Sequence, residues 1–172
     1  MCSNRDLVEI NCIEKHKGFY NNGDPKSALS SIPYSAFFDE PDGEFPYSSA
    51  NDLLSGSCDS FALALHKLLN YSPYIIKEAS DKGFHAFCQV YKGGEWYYVD
   101  ARGMTTSFSE FVNGIKFFVN SEFIIRPVSA RDIMDWKSSN EYSDYGLKFA
   151  EAFIERYNTL VPCTNVVKQR ST

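Results

Sequence analysis

Residues 55–70 read SGSCDSFALALHKLLN, and residues 83–103 read GFHAFCQVYKGGEWYYVDARG. The first stretch has helical spacing. With Cys58 at zero and about 100° per residue, Phe61, Ala62, Leu65, Leu68 and Leu69 gather around it. Asp59, Ser60, Lys67 and Asn70 fall on the other side, and Leu63 is the single apolar misfit. Cys58 is therefore expected in the first helical turn, facing the protein body. Unpaired N–H groups and the positive end of the helix dipole favour a thiolate there, and the thiolate is the form that attacks. Ser57 is the expected N-cap, and Gly56 lets the backbone approach closely.

The second stretch has the pattern of a hairpin. A two-residue Gly93-Gly94 turn pairs Tyr91 with Trp96, Gln89 with Tyr98, Phe87 with Asp100 and His85 with Arg102. Alternation then puts His85, Phe87, Gln89, Tyr91, Trp96, Tyr98, Asp100 and Arg102 on one face. His85 and Asp100 become diagonal neighbours with Cα atoms roughly 7–8 Å apart, close enough for a carboxylate to hold an imidazole N–H. A one-residue slip would separate them onto opposite faces. A thiol at a helix start, an imidazole and a carboxylate, in the order Cys58, His85, Asp100, are the parts of a nucleophile, its base and an orienting group.

The remaining composition narrows the alternatives. A chain of 172 residues with 44% hydrophobic and 16% aromatic content can bury the core of one domain. Its 17 basic against 22 acidic side chains give −5, and without a basic run this speaks against nucleic-acid binding. The first residues, MCSNRDLVEINCIEKHK, lack the apolar core of a secretory leader, and nothing later approaches the length of a membrane span. A cytoplasmic protein, without nucleic-acid or membrane partners, is expected. Cysteines 2, 12, 58, 88 and 163 are odd in number and lack CxxC spacing, which argues against a disulfide framework. Cys2, Cys12 and His16 lack a fourth ligand for zinc. No metal or organic cofactor is expected.

Elsewhere, LVEINCI at 7–13 reads as a short strand, and Asp24-Pro25 as the start of a helix through about Ser30. Residues 31–50, rich in Pro, Ser, Asp and aromatics, read as a long ordered loop leading to the Cys58 helix. Its Tyr34, Phe37, Phe38, Phe45 and Tyr47 either line a cleft or cover the core. Ser107 and Glu110 open a helix ending near Gly114, and IKFFV (115–119) with EFIIR (122–126) suggest two strands in a hairpin. Ser129 and Asp132 open another helix through Trp136; Ser138 and Glu141 open the last and longest, with a loose tail after Pro162. No repeat or linker divides the chain, so one α+β domain is expected, the Cys58 helix packed on an antiparallel sheet.

The core segment resembles the transglutaminase-like, papain-like superfamily of Cys-His-Asp enzymes. The matching residues are Gly56-Ser57-Cys58 with the Ala-Leu helix that follows, His85-Ala86 and the next aromatic, Gly94-Glu95-Trp96-Tyr97, and Val99-Asp100. The resemblance spans roughly residues 55–105 of the chain. It implies that Cys58 accepts an acyl group, His85 shuttles its proton and Asp100 orients the ring. Phe87 replaces the usual Trp after His-Ala, Ala101 replaces a frequent proline, and no calcium-binding carboxylate cluster is evident. These departures fit a compact hydrolase or deamidase of the phage or bacterial effector kind better than a metal-dependent crosslinking enzyme. The expected substrate is a protein amide. The Cys58 N–H would supply one oxyanion donor and Asn51 a second, with Trp96, Tyr98 and Arg102 available for substrate; Arg102 would otherwise pair with an acidic neighbour. The alternatives are transglutaminase-type crosslinking, or a silent protein-binding module of the same fold.

Overall fold

Apolar side chains at every second position drive a strand to lay one face on a core, and the hairpin segment does so on both faces. A computed structural model describes residues 18–39, 45–80, 83–116, 119, 122–139 and 143–157. Five strands form one antiparallel sheet: β1 (Ser72–Glu78), β2 (Phe84–Lys92), β3 (Glu95–Asp100), β4 (Gly103–Thr105) and β5 (Phe123–Pro127). Their spatial order is β4-β3-β2-β1-β5. The fold is α+β.

The β2–β3 register has Tyr91 opposite Trp96, Gln89 opposite Tyr98 and Cys88 opposite Val99. Near the turn this is the register expected, and Gly93 and Gly94 take φ of 57° and 85°, as such a turn requires; the expected Phe87–Asp100 and His85–Arg102 pairs lie beyond the Cys88–Val99 end of the ladder. Beyond Asp100 the chain reverses at Ala101-Arg102 and pairs Asp100 with Gly103. That short return caps the sheet beside the carboxylate.

The sheet is covered on both sides. Helix α3 (Cys58–Leu69) lies on one face, where Cys88 Sγ meets the Ala62 carbonyl at 3.4 Å. It follows α1 (Pro25–Ser30), capped by Asp24 as expected, and the single turn α2 (Asp52–Ser55). On the opposite face sits α4 (Phe108–Asn113), whose Phe111 ring packs 4.7 Å from Phe87 and 5.3 Å from Tyr98, centroid to centroid. Ser107 accepts from the Glu110 N–H as an N-cap, but the Glu110 carboxylate bonds Thr105 instead of closing the box.

The last helices are α5 (Ala130–Ser139) and α6 (Ser143–Tyr157). Ser129 and Asp132 form the full reciprocal capping box that starts α5, each accepting the other's backbone N–H. Helix α6 runs along α3, with Phe153 edge-on to Phe61 at 6.0 Å. This explains a departure from the helical wheel. Ser60, expected on the solvent side, is buried because Gly146 of α6 lies against it. Leu68, expected in the apolar sector, is 38% exposed at the far end of α3.

Two further expectations change. Ile115 and Lys116 form a turn, with Val119 N–H returning to the Ile115 carbonyl, so the expected 115–119 strand does not form at its start. The strand β5 pairs with β1, in a register that sets Ile76 opposite Ile125. In the 31–50 loop the aromatics turn inward: Tyr34 is buried, edge-on to Phe149 at 4.8 Å, and Phe37 and Tyr47 pack on the same ring. They cover the core; Phe45, against Tyr34, stays 42% exposed. The 7–13 strand, Cys2, Cys12, His16 and the tail after Pro162 lie outside the described residues. Among the described residues no helix is long and apolar enough to cross a membrane.

Candidate active site

Cys58 is the first residue of α3, and the approach to it is held by local hydrogen bonds. Asp52 accepts from Ser48 N–H and Ser49 N–H, and its carbonyl accepts from Gly56 N–H and Ser57 N–H. Ser57 occupies the N-cap position but does not cap: its hydroxyl is buried and donates to the Tyr47 hydroxyl at 3.1 Å. The helix start is thereby tied to the preceding loop rather than closed on itself. Cys58 keeps 9% of its surface exposed.

The thiol meets β2 near its start. The Ala86 N–H donates to Cys58 Sγ at 3.4 Å. The β2–β3 ladder runs from Cys88–Val99 to the turn, so this N–H lies past its last rung, and the sulfur accepts it. Ala86 faces α3, so its neighbour His85 faces the other way, toward α4, where its ring lies 6.1 Å from Phe111. Thiol and imidazole thus approach the start of β2 from opposite sides.

His85 is fully buried, and its Nε2 is bonded to Asp100 Oδ2 at 3.1 Å. The second ring nitrogen, Nδ1, is buried as well. Burial by itself pushes the imidazole pKa down, but the Asp100 carboxylate bonded to the ring and the nearby Cys58 sulfur outweigh it and raise it to about 9. The arrangement favours a charged ring between two acceptors.

Asp100 is equally buried, and what keeps it ionised is Arg102. Burial would raise the carboxyl pKa; the Arg102 charge, with hydrogen bonds from His85 and Arg102, holds it well below the usual carboxylate range. The guanidinium Nη2 lies 2.6 Å from Oδ2, Nε lies 3.0 Å from Oδ1, and the Arg102 backbone N–H donates to Oδ1 at 2.9 Å. Nη2 also donates to the Phe111 carbonyl. The guanidinium carbon lies 4.8 Å from the Tyr20 ring centroid and 5.3 Å from that of Phe111. A Cβ at Gly114 would overlap this guanidinium, so that position has room for glycine alone. Arg102 is 1% exposed; of its two expected roles the structure shows the ion pair with an acidic neighbour, and a substrate carboxylate has no path to it.

The other expected residues are dispersed. Trp96 sits at the hairpin tip, 55% exposed and paired with Tyr91 at 5.2 Å, four residues from Asp100 and so about 13 Å along the strand. Tyr98 packs against Phe108 and Phe111 of α4. Asn51 precedes α2, and its side-chain Oδ1 is buried without a hydrogen-bond partner. Cys88 is fully buried, and burial pushes its thiol pKa well up. His66, at the far end of α3, turns its Nδ1 to the Tyr71 carbonyl at 2.9 Å.

Sequence reasoning passed over Phe84 and Trp136. Their rings stack in parallel, 6.1 Å apart, beside the start of β2. A cleft of about 370 Å³ opens there, lined by Asp59, Ser60, Leu63, Trp136, Lys137, Asp144 and Leu147. Leu63, the misfit of the helical wheel, was its one visible signal.

Among the described residues no group of three or more His, Cys, Asp or Glu side chains is placed to hold a metal ion. Comparison with models of protein families, with curated proteins and with solved structures gave no match.

Proposed function

We propose that this chain is a cysteine-dependent enzyme of the papain-like or transglutaminase-like kind, transferring the acyl group of a protein amide through a thioester on Cys58. One observation carries the reading: a fully buried imidazole held by a buried carboxylate at the start of β2, where the N–H of the adjoining Ala86 donates to the Cys58 thiol. Burying a charge network costs several kcal/mol per ion before its attractions are counted. Such perturbed groups collect at functional sites.

The steps follow from the atoms present. Cys58 Sγ attacks the amide carbonyl carbon after its proton has passed to His85. The tetrahedral intermediate collapses as imidazolium gives that proton to the departing nitrogen, leaving the thioester. Water then attacks the thioester carbonyl while His85 accepts its proton and returns it to sulfur, releasing the carboxylate. Asp100 fixes the ring with Nε2 turned away from the thiol and stabilises its charged form. The Cys58 backbone N–H is the first oxyanion donor of the proposal, and Asn51 is the proposed second.

The test is oxygen incorporation from the solvent. A soluble protein lysate is treated with wild type or Cys58→Ala in H₂¹⁸O and digested, and its peptides are weighed. Hydrolysis predicts ¹⁸O at new chain ends or at former glutamine amides, with wild type alone. Joined peptides without ¹⁸O would redirect the reading to crosslinking. Equal ¹⁸O uptake with both proteins, and no joined peptides, would overturn it.

A further inference from the structure

The cleft between α3, α5 and α6 lies beside the start of α3, with neither Cys58 nor His85 in its lining. Asp59 and Ser60 directly follow Cys58 in the first turn of α3 and form one wall. Trp136 forms another wall, stacked on Phe84, which shares the α3-facing side of β2 with Ala86, the residue whose N–H donates to Cys58 Sγ. For a substrate whose carbonyl reaches the thiol, this cleft is a neighbouring space for an adjoining side chain.

The lining states what that side chain would be. Leu63, Leu147 and the Trp136 ring offer an apolar stem surface, while two carboxylates, Asp59 and Asp144, face one ammonium, Lys137. Asp59 accepts the N–H of its neighbour Ser60, and it has no ion-pair partner among the described residues. Burial without a compensating cation pushes its carboxyl pKa up. A long aliphatic chain ending in a positive charge meets all of these conditions: the stem covers the leucines, and the charge sits by the carboxylates or over the indole.

We infer that this cleft selects substrates carrying a lysine- or arginine-type side chain beside the attacked carbonyl. The inference rests on the thiol-enzyme reading, and two separate measurements keep their fates apart. The first compares the chloromethyl ketones of N-acetyl-lysine and N-acetyl-norleucine, in which Sγ bonds the methylene carbon as chloride leaves. Alkylation of Cys58 is followed by intact mass. The lysine reagent should react about tenfold faster or more. In Asp59→Asn/Asp144→Asn the ratio of the two rates, taken within that variant, should fall toward one.

The second measurement needs no chemistry at sulfur. In a Trp96→Phe background, Trp136 emission is titrated with the methylamides of N-acetyl-lysine and N-acetyl-norleucine. A saturable change with the lysine compound alone, lost in the double Asn variant, supports the cleft even if the thiol is inert. A reactive thiol with equal rates for the two reagents, and no lysine-dependent emission change, overturns the cleft and leaves the thiol reading standing.

Discussion

The two ends of the β2–β3 hairpin carry the same alternation and meet opposite fates. At the tip, Tyr91 and Trp96 are 58% and 55% exposed and touch little but each other. At the base, His85 and Asp100 on the same face are buried to 0% and 1% exposure. What distinguishes them lies outside the hairpin. The base is closed by α4 through Phe111, by the return of β4, and by the Arg102 guanidinium wedged between Tyr20 and Phe111. A polar pair on a strand becomes a site where other elements exclude water from it, and a pair of aromatic rings stays surface where none does.

The comparison can be broken at the base first. Asp100→Asn should keep the hairpin but lose both the orientation and the charge stabilisation of His85, lowering kcat by about 10²–10⁴-fold, by analogy with loss of a triad aspartate. Rates from the ¹⁸O assay would show it; a wild-type rate would give the orienting role to another group. Arg102→Met should cost about 3–5 kcal/mol in denaturant unfolding, because it strands a buried carboxylate. The combined change Asp100→Asn/Arg102→Met should recover part of that loss, since neither charge then remains without its partner.

A subtler test uses pH. The folded pKa of His85 is raised to about 9, above the ordinary histidine value of 6.5. Its stabilisation is therefore fully present below about pH 6.5 and is lost as pH rises through 9. Denaturant midpoints should fall across that window in the wild type and flatten there in His85→Gln. The smallest effect belongs to the tip: Trp96→Ala should change stability by within about 0.5 kcal/mol and leave turnover within twofold. A large loss of turnover would return Trp96 to the substrate path.

Much of this contrast was legible before any coordinates, and the rest was not for definite reasons. Register, the facing of His85 and Asp100, and the place of Cys58 at a helix start follow from period counting, because a two-residue turn leaves one consistent pairing. Depth does not follow. Alternation assigns Trp96 and Asp100 to the same face, while the groups that bury only one of them lie outside the hairpin: α4, beyond the turn back into β4, and Tyr20, eighty residues upstream. Arg102 illustrates the point, since its pairing partner lies two residues away but its burial depends on Phe111 and Gly114. Likewise β5 has the apolar run of a hairpin partner, yet pairs with β1, a long-range contact no local pattern encodes. The 31–50 aromatics were ambiguous between cleft and core until α6 supplied Phe149 for them to pack against. Ser57 looked like a cap and became a tether to Tyr47, because that hydroxyl stands within reach.

The central claim is that His85 makes Cys58 a nucleophile, and cysteine reactivity measures it most directly. Protein is treated with iodoacetamide at pH 6.5, and the labelling rates of Cys58 and Cys88 are read separately by peptide mass. The account predicts that Cys58 reacts at least about a hundredfold faster than fully buried Cys88, and that His85→Ala removes most of the Cys58 rate while circular dichroism stays native. A Cys58 rate unchanged by loss of His85 in the folded variant would contradict it.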